Sequence, residues 1–132
     1  MPQSHGNLHK KKATGGKKRR WRGKRAFEVG RDSVETVVGE SKSRFVRTMG
    51  GSVKVKVASS DWAVVTDQAA GKSSKSKILR VIRNPANVDY QRRGVITRGA
   101  IVDTELGQAR VTSRPGQNGA ISAVLLAKSG KS

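Results

Sequence analysis

In Val53-Lys54-Val55-Lys56-Val57 every second residue is apolar and the residues between are lysines. A two-residue period belongs to a strand with one face buried and the other in solvent. Arg44-Phe45-Val46-Arg47-Thr48 stands before it and Gly50-Gly51 lies between, which predicts a hairpin turning at the glycine pair. Trp62-Ala63-Val64-Val65 is short and rich in β-formers. Ile78-Leu79-Arg80-Val81-Ile82 also fits a helical spacing, but its β-branched residues and the stop at Asn84-Pro85 favour a strand. Further strands are predicted at Gly94-Val95-Ile96-Thr97, Ala100-Ile101-Val102-Asp103, Ala109-Arg110-Val111-Thr112 and Ala120-Ile121-Ser122-Ala123-Val124-Leu125. Arg98-Gly99, Glu105-Leu106-Gly107 and Arg114-Pro115-Gly116-Gln117-Asn118-Gly119 separate them as turns. Short strands at this spacing, with no internal repeat, predict an all-β chain folded as a small β-barrel-like domain of antiparallel strands.

The pattern is missing from the beginning of the chain. Residues 1–25 hold ten Lys or Arg, no acid, and little apolar material beyond Leu8 and Trp21. Such a stretch buries too little apolar surface to offset the entropy of ordering, so alone it is expected to be disordered. Glu28 is the first acid, and from Phe27 the composition is that of an ordinary domain. The expected organisation is a basic arm over 1–26, a barrel over 27–127 and a frayed basic tail over 128–132.

Charge narrows the function. The 132 residues include 28 Lys or Arg against 9 Asp or Glu, a formal net charge of +19. So large an excess opposes compaction unless a polyanionic partner supplies counter-charge. An anionic membrane fits poorly. The longest apolar run, Ala123-Val124-Leu125-Leu126-Ala127, is far short of the ~20 residues a spanning helix needs. Gly15, Gly16 and Gly23 interrupt any basic amphipathic helix, and no apolar stretch follows the cationic start as in a secretory signal. Nucleic acid remains. Lys10, Lys11, Lys12, Lys17, Lys18, Arg19, Arg20, Arg22, Lys24 and Arg25 are the candidate phosphate contacts, because neutralising phosphates releases condensed counterions. Arginine adds planar bidentate donors and can stack on bases. Trp21 among these cations suits stacking on an exposed base, or anchoring the arm to the barrel. Arg92, Arg93 and Arg114 lie near turns and form a second tier of backbone contacts.

Catalytic patterns fail one by one. Gly71-Lys72-Ser73 resembles the end of a phosphate-binding loop, but the required glycine five positions earlier is Thr66, so a turn with a basic edge is the better account. There is no cysteine, and His5 and His9 both fall in the arm, which leaves no material for a metal centre or a histidine-based triad. Asp103 and Glu105 are placed on one face of a strand, where paired carboxylates read as surface charge. No enzyme activity, cofactor, metal or small-molecule substrate is expected.

Longer stretches carry a family resemblance. They are Thr14-Gly15-Gly16, Arg22-Gly23-Lys24-Arg25-Ala26-Phe27-Glu28-Val29-Gly30-Arg31, Thr36-Val37-Val38-Gly39-Glu40 and Asn84-Pro85-Ala86-Asn87-Val88-Asp89-Tyr90-Gln91-Arg92-Arg93. Ile96 to Ile101, Thr104 to Gly107 and Ala109 to Gln117 continue the series. In this order they resemble the small-subunit ribosomal protein eight-e family of archaea and eukaryotes. Val29 stands where that family usually has leucine or methionine, and Ser33 where proline is common. The long insertion of eukaryotic members is missing, so the chain looks like the archaeal form. The resemblance implies a β-barrel-like domain with an N-terminal extension. It further implies a structural role in the cytoplasmic ribosome, bound to small-subunit ribosomal RNA beside other small-subunit proteins. Composition alone also permits an architectural DNA-binding protein, and a nucleotide-acting enzyme rests only on the failed Gly71-Lys72-Ser73 match.

Overall fold

A computed structural model describes residues 6–128. His5 and residues 129–132, most of the expected tail, lie outside the described residues. The chain divides into two compact units, one up to Ser33 and the other from Val34.

Among the described residues the second unit contains nine strands: β1 (Thr36–Val37), β2 (Lys42–Arg47), β3 (Val53–Ser59), β4 (Trp62–Asp67), β5 (Lys72–Arg83), β6 (Val95–Ile96), β7 (Ile101–Thr104), β8 (Gly107–Val111) and β9 (Ser122–Lys128). Two one-turn helices accompany them, α1 (Val88–Arg92) and α2 (Pro115–Asn118). Strands β4-β5-β7-β8-β9 close into a barrel. Closure leaves no open edge strand in this sheet. The core follows from alternation. Ala63 and Val65 on β4, and Ala109 and Val111 on β8, point inward beside Ile78, Ile96, Ala100, Val102, Ile121 and Ala123. Gln108 and Arg110 occupy the opposite phase of β8 and face solvent.

A second sheet has the order β2-β3-β1-β6. The hairpin expected at Gly50-Gly51 is β2 and β3, registered Phe45↔Val55 and Arg47↔Val53. Gly50 and Gly51 take left-handed φ values of 76° and 80° at its tip, a region glycine enters without a Cβ clash. Polar latches hold this sheet together and tie it to the segment after β5. The Thr36 hydroxyl donates to the Val57 carbonyl at 2.7 Å, and buried Asn84 donates its amide to the Val95 carbonyl at 2.8 Å. The Asn84 side-chain oxygen accepts from the Ala86 N–H and the Thr97 hydroxyl, both at 3.0 Å.

The all-β barrel expectation holds, with local corrections. Two pairings are parallel, β9 with β4 at the barrel closure and β1 with β3. Lys72 and Ser73 do not extend a turn. They open β5, which runs twelve residues and pairs along the whole of β4 (Asp67↔Lys72 to Trp62↔Lys77). Glu105 sits in the β7–β8 turn, off the strand that carries Asp103. Lys128, the first residue of the expected tail, ends β9 opposite Gly107. Asn87 caps a helix that alternation could not reveal, its side-chain oxygen accepting the Asp89 N–H at 2.9 Å.

Candidate nucleic-acid interface

The arm unit is built from turns. The Gly15 N–H donates to the Lys12 carbonyl at 3.0 Å and the Lys12 N–H to the Gly16 carbonyl at 2.9 Å, with Gly15 at φ 82°. This closes a tight turn that sets Lys11 opposite Lys17 in an antiparallel bridge. Like charges so placed repel, and a phosphate between them would turn that cost into attraction.

A second local structure follows. Ala26–Glu28 form a 3₁₀ turn, with the Glu28 N–H on the Arg25 carbonyl at 3.0 Å. The Glu28 carboxylate takes two donors from the Arg22 guanidinium, Nη1 to Oε2 at 2.9 Å and Nη2 to Oε1, and a third from the Arg25 N–H at 3.1 Å. The Arg22 guanidinium also lies 4.9 Å from the Trp21 ring centroid and 6.0 Å from that of Phe27. So Arg22 has a structural task, and Trp21 remains 85% exposed beside it. Lys10, Lys11, Lys12, Lys17, Lys18, Arg19, Arg20, Lys24 and Arg25 are all exposed. Among the described residues no carboxylate forms an ion pair with any of these nine.

Hydrogen bonds from Arg22, and then from the Arg25 backbone, hold the Glu28 carboxyl below its ordinary pKa. A carboxyl with a depressed pKa favours the paired state above its ordinary value, and that preference is lost as pH falls through the lowered value. Acid titration followed by the Arg22 side-chain NMR signals should show an inflection lower than an ordinary glutamate gives. Glu28→Gln should abolish it, and an inflection that persists in the variant would assign it to another group.

On the barrel unit the second-tier arginines separate. Arg93 pairs with Glu35 at 2.8 Å and Asp89 at 3.6 Å, with its guanidinium 5.6 Å from the Tyr90 ring centroid. The Glu35 hydrogen bond raises the pKa of Arg93, and the two carboxylates tie this cation to the fold. Arg92 is exposed and reaches Asp89 only at 3.7 Å. Arg114 lies elsewhere, on a groove of about 700 Å³ with Arg98, Arg110, Thr112, Gln68 and Leu126. Arg98 is brought there by the Gly99 N–H, which donates to the Val111 carbonyl on β8 at 2.7 Å. Among the described residues no acid lines this groove. Arg98 and Arg110 were not singled out from the sequence, although the outward phase of β8, running through Arg110 to Thr112, carries the signal. Among the described residues, no group of three His, Asp or Glu side chains could hold a metal, and no helix is long and apolar enough to cross a membrane.

Comparison with known proteins bears on the family. The family model described as Ribosomal protein S8e matches residues 5–126. The chain is 49% identical over 117 residues to the small ribosomal subunit protein eS8 of Methanoregula boonei, covering 89% of this chain and 94% of that one. It is 50% identical over 117 residues to the eS8 of Methanocella arvoryzae, with the same 89% and 94% coverage. It is 48% identical to that of Sulfurisphaera tokodaii over 117 residues, 88% of this chain and 91% of the relative.

Proposed function

The chain belongs to the ribosomal protein S8e family, and from that premise we propose that it is a structural constituent of the small subunit of the cytoplasmic ribosome. There it binds ribosomal RNA. The observation that carries this reading is the arm, where nine exposed cations between Lys10 and Arg25 have no ion-paired carboxylate among the described residues. Such a segment gains most from a polyanion, since each neutralised phosphate releases condensed counterions. The arm threads between RNA helices and lowers their mutual repulsion, while Arg98, Arg110 and Arg114 seat the barrel on the phosphate backbone. Trp21, exposed beside Arg22, is placed to stack on a base. The partners are small-subunit ribosomal RNA and neighbouring small-subunit proteins, and the contribution to translation is architectural, without catalysis.

Replacing Arg98, Arg110 and Arg114 together by Gln tests the barrel contact. The log–log salt slope for a small-subunit ribosomal RNA fragment should fall by about 2 to 3, with barrel melting unchanged. An undiminished slope would mean that the groove touches no phosphate. Equal affinity of the natural chain for duplex DNA and structured ribosomal RNA would instead favour a general architectural binder.

A further inference from the structure

The β2–β3 hairpin has no part in the RNA contacts proposed above, yet it carries cations and exposed apolar side chains together. Residues 41–60 contain Lys42, Arg44, Arg47, Lys54 and Lys56 and no acid. Arg44 and Lys56 stand directly opposite each other across the hairpin, where like charges destabilise a strand pair. Lys42 reaches Glu40 at 3.6 Å and Lys54 donates to the Gln117 side chain at 3.0 Å. Among the described residues no carboxylate forms an ion pair with Arg44, Arg47 or Lys56.

Edge protection explains only part of this. β2 is the outer strand of its sheet, and lysine or arginine there deters pairing with another chain. That account covers the cations but not the apolar side chains among them. Phe45 is 74% exposed, Val53 61%, and Met49 at the tip 95%. Val55, directly opposite Phe45, is half-buried because Gly119 approaches it, while Phe45 on the outer strand stays open. The result is an aromatic ring on a face shared with Arg47 two residues along, and Arg44 and Lys56 on the other face.

We propose that this hairpin is a second RNA-binding element, which takes single-stranded RNA by stacking an unpaired base on Phe45 with Arg47 on the adjoining phosphate, while Arg44 and Lys56 on the other face engage the backbone where it passes round the β2 edge. A protein partner would suit the apolar tip alone. The opposed Arg44 and Lys56 favour RNA, because only a polyanion converts their repulsion into binding energy. Aromatic rings among cations bind unstacked bases with little regard to sequence. The proposal rests on the RNA-binding reading above but concerns a different part of the chain.

The test uses the full chain, with an unstructured pyrimidine RNA and an RNA duplex of equal length, at salt high enough to weaken the arm's contribution. Phe45→Ala should weaken binding to the single strand about tenfold, the size of one lost base–aromatic stack, and leave duplex binding within about twofold. Phe45→Trp should preserve the affinity, and Phe45→Leu, apolar but without a π face, should lose as much as Phe45→Ala. Full affinity in Phe45→Ala would overturn the proposal, as would equal losses on both RNAs or full retention in Phe45→Leu. Loss of small-subunit incorporation at unchanged RNA affinity would overturn it in favour of a protein neighbour. If the natural chain binds neither RNA even at low salt, the broader functional reading fails, a result distinct from failure of the hairpin alone.

Discussion

Deletion of residues 1–25 is expected to remove most of the salt dependence of RNA binding while the barrel remains folded. Nine of the ten cations of the segment, Arg22 being held by Glu28, are enough to neutralise roughly nine phosphates. Contacts in that number make affinity fall roughly 10³- to 10⁵-fold between 50 and 200 mM salt. Without them, the remaining slope should reflect the Arg98, Arg110 and Arg114 groove and the hairpin, a few phosphates at most. All the buried core residues, from Val57 to Ala123, belong to the unit that begins at Val34, so cooperative melting should survive. Isotherms at several salt concentrations, with calorimetry on the shortened chain, check both halves. A slope as steep as that of the full chain would show that the arm is not the main electrostatic contact. Loss of cooperative melting would show that the barrel needs the arm to fold.

How far the sequence reveals this molecule depends on which physical signal each segment carries. Strands with an inward apolar phase were readable: β3, β4, β8 and β9 all show it, and the Gly50-Gly51 turn is forced by backbone geometry. The first half of β5 was not. Lys72 to Lys77 contains no apolar residue, its inward position is buried Ser76, and the hydroxyl there has no hydrogen-bond partner among the described residues. That segment is a strand because β4 supplies a backbone ladder, which no local pattern records. The same holds for the two-residue β1, fixed by a hydrogen bond from Thr36 to Val57, twenty-one residues away. The parallel closure of β4 on β9 joins positions such as Val64 and Ser122, far apart in sequence. At the candidate interface, the cations of the arm were visible as composition, whereas the engagement of Arg22 by Glu28 depends on the intervening turn. Arg110 was within reach, since the alternation that buries Ala109 and Val111 turns it outward.

Among the glycines of the second unit, Gly119 has the least room for a side chain, and it gives the largest expected stability effect. Gly119 ends α2 at φ 74°. A Cβ built there would lie 2.9 Å from the Val55 Cβ, 3.2 Å from its Cγ1 and 3.4 Å from its carbonyl oxygen. Gly119→Ala therefore combines the left-handed backbone cost of about 1–2 kcal/mol with an overlap of roughly 1–3 kcal/mol. The melting temperature should fall by at least ~10 °C, given about 4–8 °C per kcal/mol in a domain of this size. Gly99→Ala is the internal control. Gly99 is also left-handed, at φ 88°, but its nearest outside atom is the Pro85 Cγ at 3.9 Å, so only the backbone cost should register. Val55→Ala should not rescue Gly119→Ala, because the closest clash is with the Cβ that alanine keeps. Equal melting losses at positions 119 and 99 would mean that Val55 gives way easily. If the predicted difference is found, Gly119 is the seat against which β3 packs. The same substitution should then disturb the hairpin and weaken single-stranded RNA binding along with stability, whereas Phe45→Ala should affect RNA binding alone.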